Sequence, residues 1–181
     1  MLIALKKHKE GNSIEDRFEW AASLLNPADT DHILEIGCGT GILVEKLAAV
    51  LSKGRILAID KSVSLTSAAQ RRNKRFIESG VVQLLVQDYT ASSFHAQQFD
   101  KAIAFNVSAF WEKPTLYLPH LKRHLKPNGT FYLFYQPPFD KTQELAQKAA
   151  AILTANHFSV EQVHMQTFKP APAFCIICAP K

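Results

Sequence analysis

Apolar residues fall along this chain in two alternating rhythms. Short unbroken runs such as Ile33-Leu34, Ile56-Leu57-Ala58-Ile59 and Leu84-Leu85-Val86 alternate with stretches where apolar side chains recur every three or four positions. A short continuous run bounded by turn residues marks a buried strand, and the longer recurrence marks a helix packed along one side. On that basis helices are predicted over 14–25, 41–52, 62–78, 114–125 and 140–156, and strands over 33–36, 55–60, 81–87, 99–107 and 131–135. Such alternation implies a mostly parallel sheet with helices on both faces. After the last helix, 158–168 and 173–179 read as two strands joined by Lys169-Pro170-Ala171-Pro172. A link that short makes a hairpin and not a parallel crossover. The expected fold is therefore α/β: a doubly wound, mostly parallel seven-stranded sheet ending in an antiparallel pair. It forms a single domain over 1–181, with 1–30 a leading helical segment.

The turn after the first strand carries the densest chemical information. Gly37-Cys38-Gly39-Thr40-Gly41 lies between a strand and a helix. Glycine there can take positive φ and lets a ligand approach the backbone, while the helix start offers unpaired N–H groups. The glycine spacing argues against a dinucleotide site: G-x-G-x-x-G would need glycine at 42, where the chain has Ile42. The pattern is instead E-x-G-x-G-x-G, beginning at Glu35. The second strand ends in Asp60, level with the glycine turn in a doubly wound sheet. A carboxylate there can accept two hydrogen bonds from ribose hydroxyls and would repel a 2′-phosphate. The plainer alternative is an acid capping the helix near Ser62. Asp88, after the third strand, suits either a ligand contact or a turn.

The E-x-G-x-G-x-G run, the acids closing strands two and three, and the L-K-P-x-G segment at 125–129 occur in an order that resembles class I S-adenosylmethionine (SAM) dependent methyltransferases over residues 33–135. The resemblance implies a Rossmann-like methyltransferase domain that uses SAM and releases S-adenosylhomocysteine (SAH). It implies a cofactor pocket built from Glu35, Gly37, Cys38, Gly39, Gly41, Asp60, Lys61, Asp88, Tyr89, Asn106 and Val107. In it Asp60 would hold the ribose and Asp88 the adenine amino group, while Tyr89 would either flank the ring or simply pack. Asn106 and Val107 would lie by the methionine part, with the Asn106 carbonyl taking its ammonium. Phe110 and Trp111 are expected near the methyl group as stacking or cation–π partners, or else as a hydrophobic lid. Family members often fold the leading helix over the cofactor, which makes Arg17 and Trp20 further substrate-side candidates. In L-K-P-x-G, Lys126 suits a helix C-terminus, and Pro127 and Gly129 stop the helix.

The acceptor is not written in any motif. Gln136-Pro137-Pro138-Phe139 looks like the run of adenine amino methyltransferases but follows the fifth strand instead of the fourth and begins with Gln, so it is read as a decoy, with a place in the pocket lining left open. No Pro-Cys pair or acidic metal cluster is present, and no catalytic base is assigned. His120 and His124 have metal spacing on a helix but lack a third ligand, so a solvated face is expected and no metal. Little room exists between strands for a recognition insertion. Methyl transfer to nitrogen or oxygen of a small molecule is the expectation. The alternatives are an RNA or protein methyltransferase and a non-catalytic SAM-binding subunit; homo-oligomerisation or a partner subunit stays open.

Charge and cysteine content change this picture little. A net charge of +5 invites a nucleic-acid reading. Yet the basic run Arg71-Arg72-Asn73-Lys74-Arg75 and the group Lys122, Arg123 and Lys126 fall on helices, where solvated faces are the better account. RNA-backbone binding is the less favoured reading. Three cysteines do not make a disulfide framework. Cys175 and Cys178 would point to opposite faces of one strand. The start Met1–Leu5 is too short for a signal core or membrane span. A soluble protein of the reducing cytoplasm is expected.

Overall fold

A computed structural model describes residues 14–91, 98–139 and 141–181. Helix α1 spans Ile14–Leu25, as its period predicts. The strands are β1 (His32–Ile36), β2 (Arg55–Asp60), β3 (Val82–Val86), β4 (Phe99–Phe105), β5 (Leu125–Tyr135), β6 (Phe158–Gln166) and β7 (Ala173–Pro180). They form one sheet in the order β3-β2-β1-β4-β5-β7-β6. Pairing is parallel from β3 to β5, and β7 runs antiparallel to both β5 and β6. The strand order reverses between β1 and β4, which is where a doubly wound sheet opens a crevice at its carboxyl edge.

Side chains alternate across the strands, so each face has its own core. Leu34, Ile36, Phe131, Leu133 and Ile176 pack one layer with Leu118 and Leu121 of α6 (Pro114–His124) and Leu153 of α7 (Thr142–Ala155). Ile33, Ile56, Ile103 and Phe134 pack the other with Trp20 of α1 and with Leu43 and Leu47 of α2 (Ile42–Ala48). The same alternation sends Cys178 to the first layer and Cys175 to the second, both as buried free thiols.

Two elements depart from the pattern read in sequence. The predicted helix over 62–78 is two helices, α3 (Val63–Arg72) and α4 (Lys74–Glu78), joined at Asn73. Asn73 is fully buried, and its Nδ2 donates to the carbonyls of Gly41 and Ala69, each at 3.0 Å. A side chain bound back to the preceding turn breaks the helix there. The second departure is at L-K-P-x-G. Pro127 disfavours helical backbone at Lys126, so α6 ends at His124 and the chain is already extended from Leu125. Lys126 therefore caps nothing; its Nζ reaches both carboxylate oxygens of Asp100 at 2.8 Å. The β4–β5 register shifts between Phe99 and Lys101, and a Cβ on Gly129 would stand 2.8 Å from the Phe99 carbonyl oxygen.

The histidine pair also differs from expectation. His124 is buried, with its ring 4.6 Å from that of His120, which in turn meets Tyr89 edge-on at 4.7 Å. This face of α6 packs on the short 3-10 turn Tyr89–Ala91 instead of facing solvent. No helix among the described residues is long and apolar enough to cross a membrane.

Candidate functional site

A cavity of about 510 Å³ opens at the carboxyl edge, where β1, β2, β3 and β4 end. Gly37, Asp60, Lys61, Asp88, Tyr89, Asn106 and Val107 all line it. Another hollow, about 440 Å³, lies at the opposite edge beside His32, Arg55 and Gln83, and no carboxylate lines it. The carboxyl-edge cavity coincides with the crevice that strand reversal creates, and Asp60, Asp88 and Glu112 line it.

The glycine turn is fixed to β2. Gly37 N and Cys38 N both donate to the Ile59 carbonyl, at 2.8 and 3.0 Å. Gly39 N donates to Asp60 Oδ2 and Ser62 N to Asp60 Oδ1, both at 2.9 Å. Asp60 thus ties the turn to the start of α3, which Ser62 caps through its hydroxyl. All three glycines have positive φ, but their surroundings differ. A Cβ at Gly37 would stand 2.7 Å from Val107 Cγ2, and one at Gly41 2.6 Å from Asn73 Nδ2, whereas one at Gly39 meets nothing within 4 Å. The first and third are dictated by packing, and the second borders open space.

Beneath the turn, Glu35 is buried and its Oε2 has no hydrogen-bond partner. Burial, with Asp60 nearby adding like charge, pushes its carboxyl up to about 8, which favours the neutral acid. Burial likewise raises the Cys38 thiol, which disfavours the thiolate. Asp88 behaves in the opposite way. The Thr90 hydroxyl and backbone N–H, at 2.6 and 2.8 Å from Oδ1, hold its carboxyl below the usual range. Asn106 closes β4 at φ 58; its N donates to the Phe134 carbonyl and its Oδ1 accepts from Gln136 N, each at 2.9 Å.

Glu35, Cys38, Gly39 and Gly41 build the turn without lining the cavity. The aromatic candidates turn inward. Phe110 is fully buried against Phe131 and Tyr117, with ring centroids at 4.8 and 5.3 Å, and Trp111 meets Tyr135 edge-on at 4.7 Å. Both belong to the short helix α5 (Ala109–Glu112), whose buried residues pack under α6 and α7. Trp20 packs edge-on against Phe134 and Phe168 in the opposite core. Arg17 lies over the rings of Phe18 and Phe105. Sequence reasoning missed Leu65, Glu112, Lys113 and Tyr117, which line the cavity from α3, α5, the α5–α6 joint and α6. Leu65 was findable as an apolar residue one turn into the helix after Asp60. Tyr117 was not, because only the packing of α6 brings it to the Asp88 side, where burial and Asp88 raise its phenol.

The basic run is partly neutralised by its neighbours: Arg72 pairs with Glu45 at 3.1 Å and Lys74 with Glu78 at 3.7 Å.

Residues 34–131 match the family model described as a methyltransferase domain. An uncharacterised methyltransferase, YdaC, of Bacillus subtilis is 24% identical over 87% of both chains. A malonyl-[acyl-carrier protein] O-methyltransferase of Halalkalibacterium halodurans is 30% identical over 65% of this chain and 44% of its own length. The crystal structure of magnesium protoporphyrin IX methyltransferase from Synechocystis PCC 6803 with bound SAH superimposes with a TM-score of 0.73 at 16% identity, covering 92% of this chain and 83% of that one. That likeness establishes the shared fold.

Proposed function

The chain belongs to the class I SAM-dependent methyltransferases, and from that premise we propose that it transfers the methyl group of SAM to nitrogen or oxygen of a small-molecule acceptor. The observation that carries this reading is the carboxyl-edge crevice, which gathers Gly37, Asp60, Asp88 and Asn106 around about 510 Å³. That volume falls within the roughly 300–1,000 Å³ usual for small-molecule sites. The donor set suits SAM: Asp60 and Asp88 offer carboxylates for hydroxyl and amino hydrogens, and the turn leaves open space over Gly39.

When bound, SAM supplies an electrophilic methyl group on a sulfonium and leaves as SAH. Asp60 is already oriented by Gly39 N and Ser62 N, and each oxygen keeps a lone pair for a ribose hydroxyl. Asp88, held ionised by Thr90, accepts from the adenine amino group, with Tyr89 and Tyr117 at its side. The Asn106 carbonyl accepts from the ammonium. In-line displacement asks the protein for alignment and exclusion of water more than for proton transfer, and a base is required only if the acceptor must first lose a proton. A small accepting group is supported by the short connections around the cavity and by the names of relatives that act on a malonyl group borne by an acyl-carrier protein and on magnesium protoporphyrin IX. Calorimetry with SAM, SAH and NAD tests the reading: binding of both sulfur compounds without NAD is expected, followed by SAH release from methyl-labelled SAM in an acceptor panel. Absence of SAM binding overturns it.

A further inference from the structure

Arg17 is a partly buried cation. Lys46, Arg72, Lys74, Lys101 and Lys126 each pair with a carboxylate. No carboxylate pairs with Arg17 among the described residues. Its guanidinium lies 5.1 and 5.7 Å from the ring centroids of Phe18 and Phe105, with Nη1 donating to Gln136 Oε1 at 2.9 Å. A guanidinium has five N–H donors; Gln136 takes one, and the buried Nε has no partner. Burial lowers the Arg17 pKa, as expected of a cation partly withdrawn from water with no counter-charge.

The group beside it is built to hold this orientation. Gln136 Nε2 donates to the carbonyls of Lys169 and Ala171 at 3.1 and 2.9 Å, which fixes its amide with the oxygen toward Arg17. Gln136 N also donates to the Asn106 side chain. Arg17 does not itself line the cavity but stands directly behind two residues that do, Phe105 under its guanidinium and Asn106 across Gln136. Asn106 is the residue assigned above to the methionine part of SAM.

We propose that Arg17, oriented by Gln136, binds a carboxylate carried by the methyl acceptor; the inference rests on the methyltransferase reading and narrows its substrate class. A planar fork of donors matches a carboxylate with two parallel hydrogen bonds. One guanidinium balances one negative charge. A phosphate dianion would leave one charge unmatched by Arg17, in a crevice whose other charged side chains, Asp60, Asp88 and Glu112 against Lys61 and Lys113, already sum to one net negative charge.

The test uses the isotope-labelled full chain saturated with SAH, titrated with malonate and benzoate, their amides malonamide and benzamide, and inorganic phosphate at matched ionic strength. The Arg17 Nε–H resonance, identified by its loss in R17K, is expected to shift saturably with the carboxylates and not with the amides. R17Q should weaken carboxylate binding roughly tenfold to a hundredfold, the range for a lost charge-assisted hydrogen bond, and R17K should weaken it less. An unmoved resonance, an equal response to the amides, or a response to phosphate alone overturns the proposal. SAH calorimetry on the native protein and both variants separates the two levels. Failure to bind SAH in the native protein sinks the methyltransferase reading, whereas intact SAH binding with a silent Arg17 sinks this inference alone.

Discussion

At Gly41 an added methyl would stand 2.6 Å from Asn73 Nδ2, while at Gly39 it would enter open space, although both residues have positive φ. The two alanine variants should therefore separate folding from binding. Gly39→Ala carries the left-handed strain alone, about 1–2 kcal/mol, and should fold while losing SAH affinity. Gly41→Ala adds overpacking of roughly 1–3 kcal/mol, so denaturant unfolding should show the larger loss. Asp60→Ala should weaken SAM binding by roughly 1–3 kcal/mol; unchanged calorimetric affinity would remove it from the ribose site. Glu35 gives a pH signature. Its folded-state pKa, about 8, lies above its ordinary value of 4.5, so between these the native state holds a proton that the unfolded chain has lost. Stability should fall as pH rises through that window, and Glu35→Gln should flatten the slope in pH-dependent denaturant melts.

The joint between α3 and α4 shows an element doing what no single motif announces. Asn73 interrupts the predicted helix to hold the Gly41 carbonyl, and Arg72 Nε reaches the Thr40 carbonyl at 3.2 Å. The helix after β2 thereby braces the glycine turn from behind. Asn73→Ala would leave a buried carbonyl short of its donor, at a cost of about 1–3 kcal/mol. It should lower SAH affinity as well as stability, while Lys74→Ala, removing an exposed pair in the same joint, should alter both by at most about 0.5 kcal/mol. Denaturant melts and calorimetry on the two variants check this. The L-K-P-x-G segment teaches the complementary point. Its residues stop the helix, but Lys126 serves an ion pair with Asp100 because the chain beyond the helix joins β4 at once.

For the whole molecule, the sheet order sets where chemistry can occur. Reversal between β1 and β4 opens the crevice, and α3, α5 and α6 wall it with Leu65, Glu112 and Tyr117. A ligand that binds only the folded chain stabilises it by mass action, about 2.7 kcal/mol at a hundredfold excess over Kd. SAH should accordingly raise the melting temperature in a concentration-dependent way, and NAD should not. What the sequence by itself determined was everything that local pattern enforces: the strand and helix periods, the antiparallel close, the glycine turn, and the acids at 60 and 88, which end their strands on one edge. Only the tertiary structure decided which side chains share the cavity. Phe110, Trp111 and Trp20 belong to cores because burying their large apolar surfaces outweighs exposure at the crevice. Tyr117 and Glu112 reach the cavity because helix packing, which couples residues far apart in the chain, turns them there.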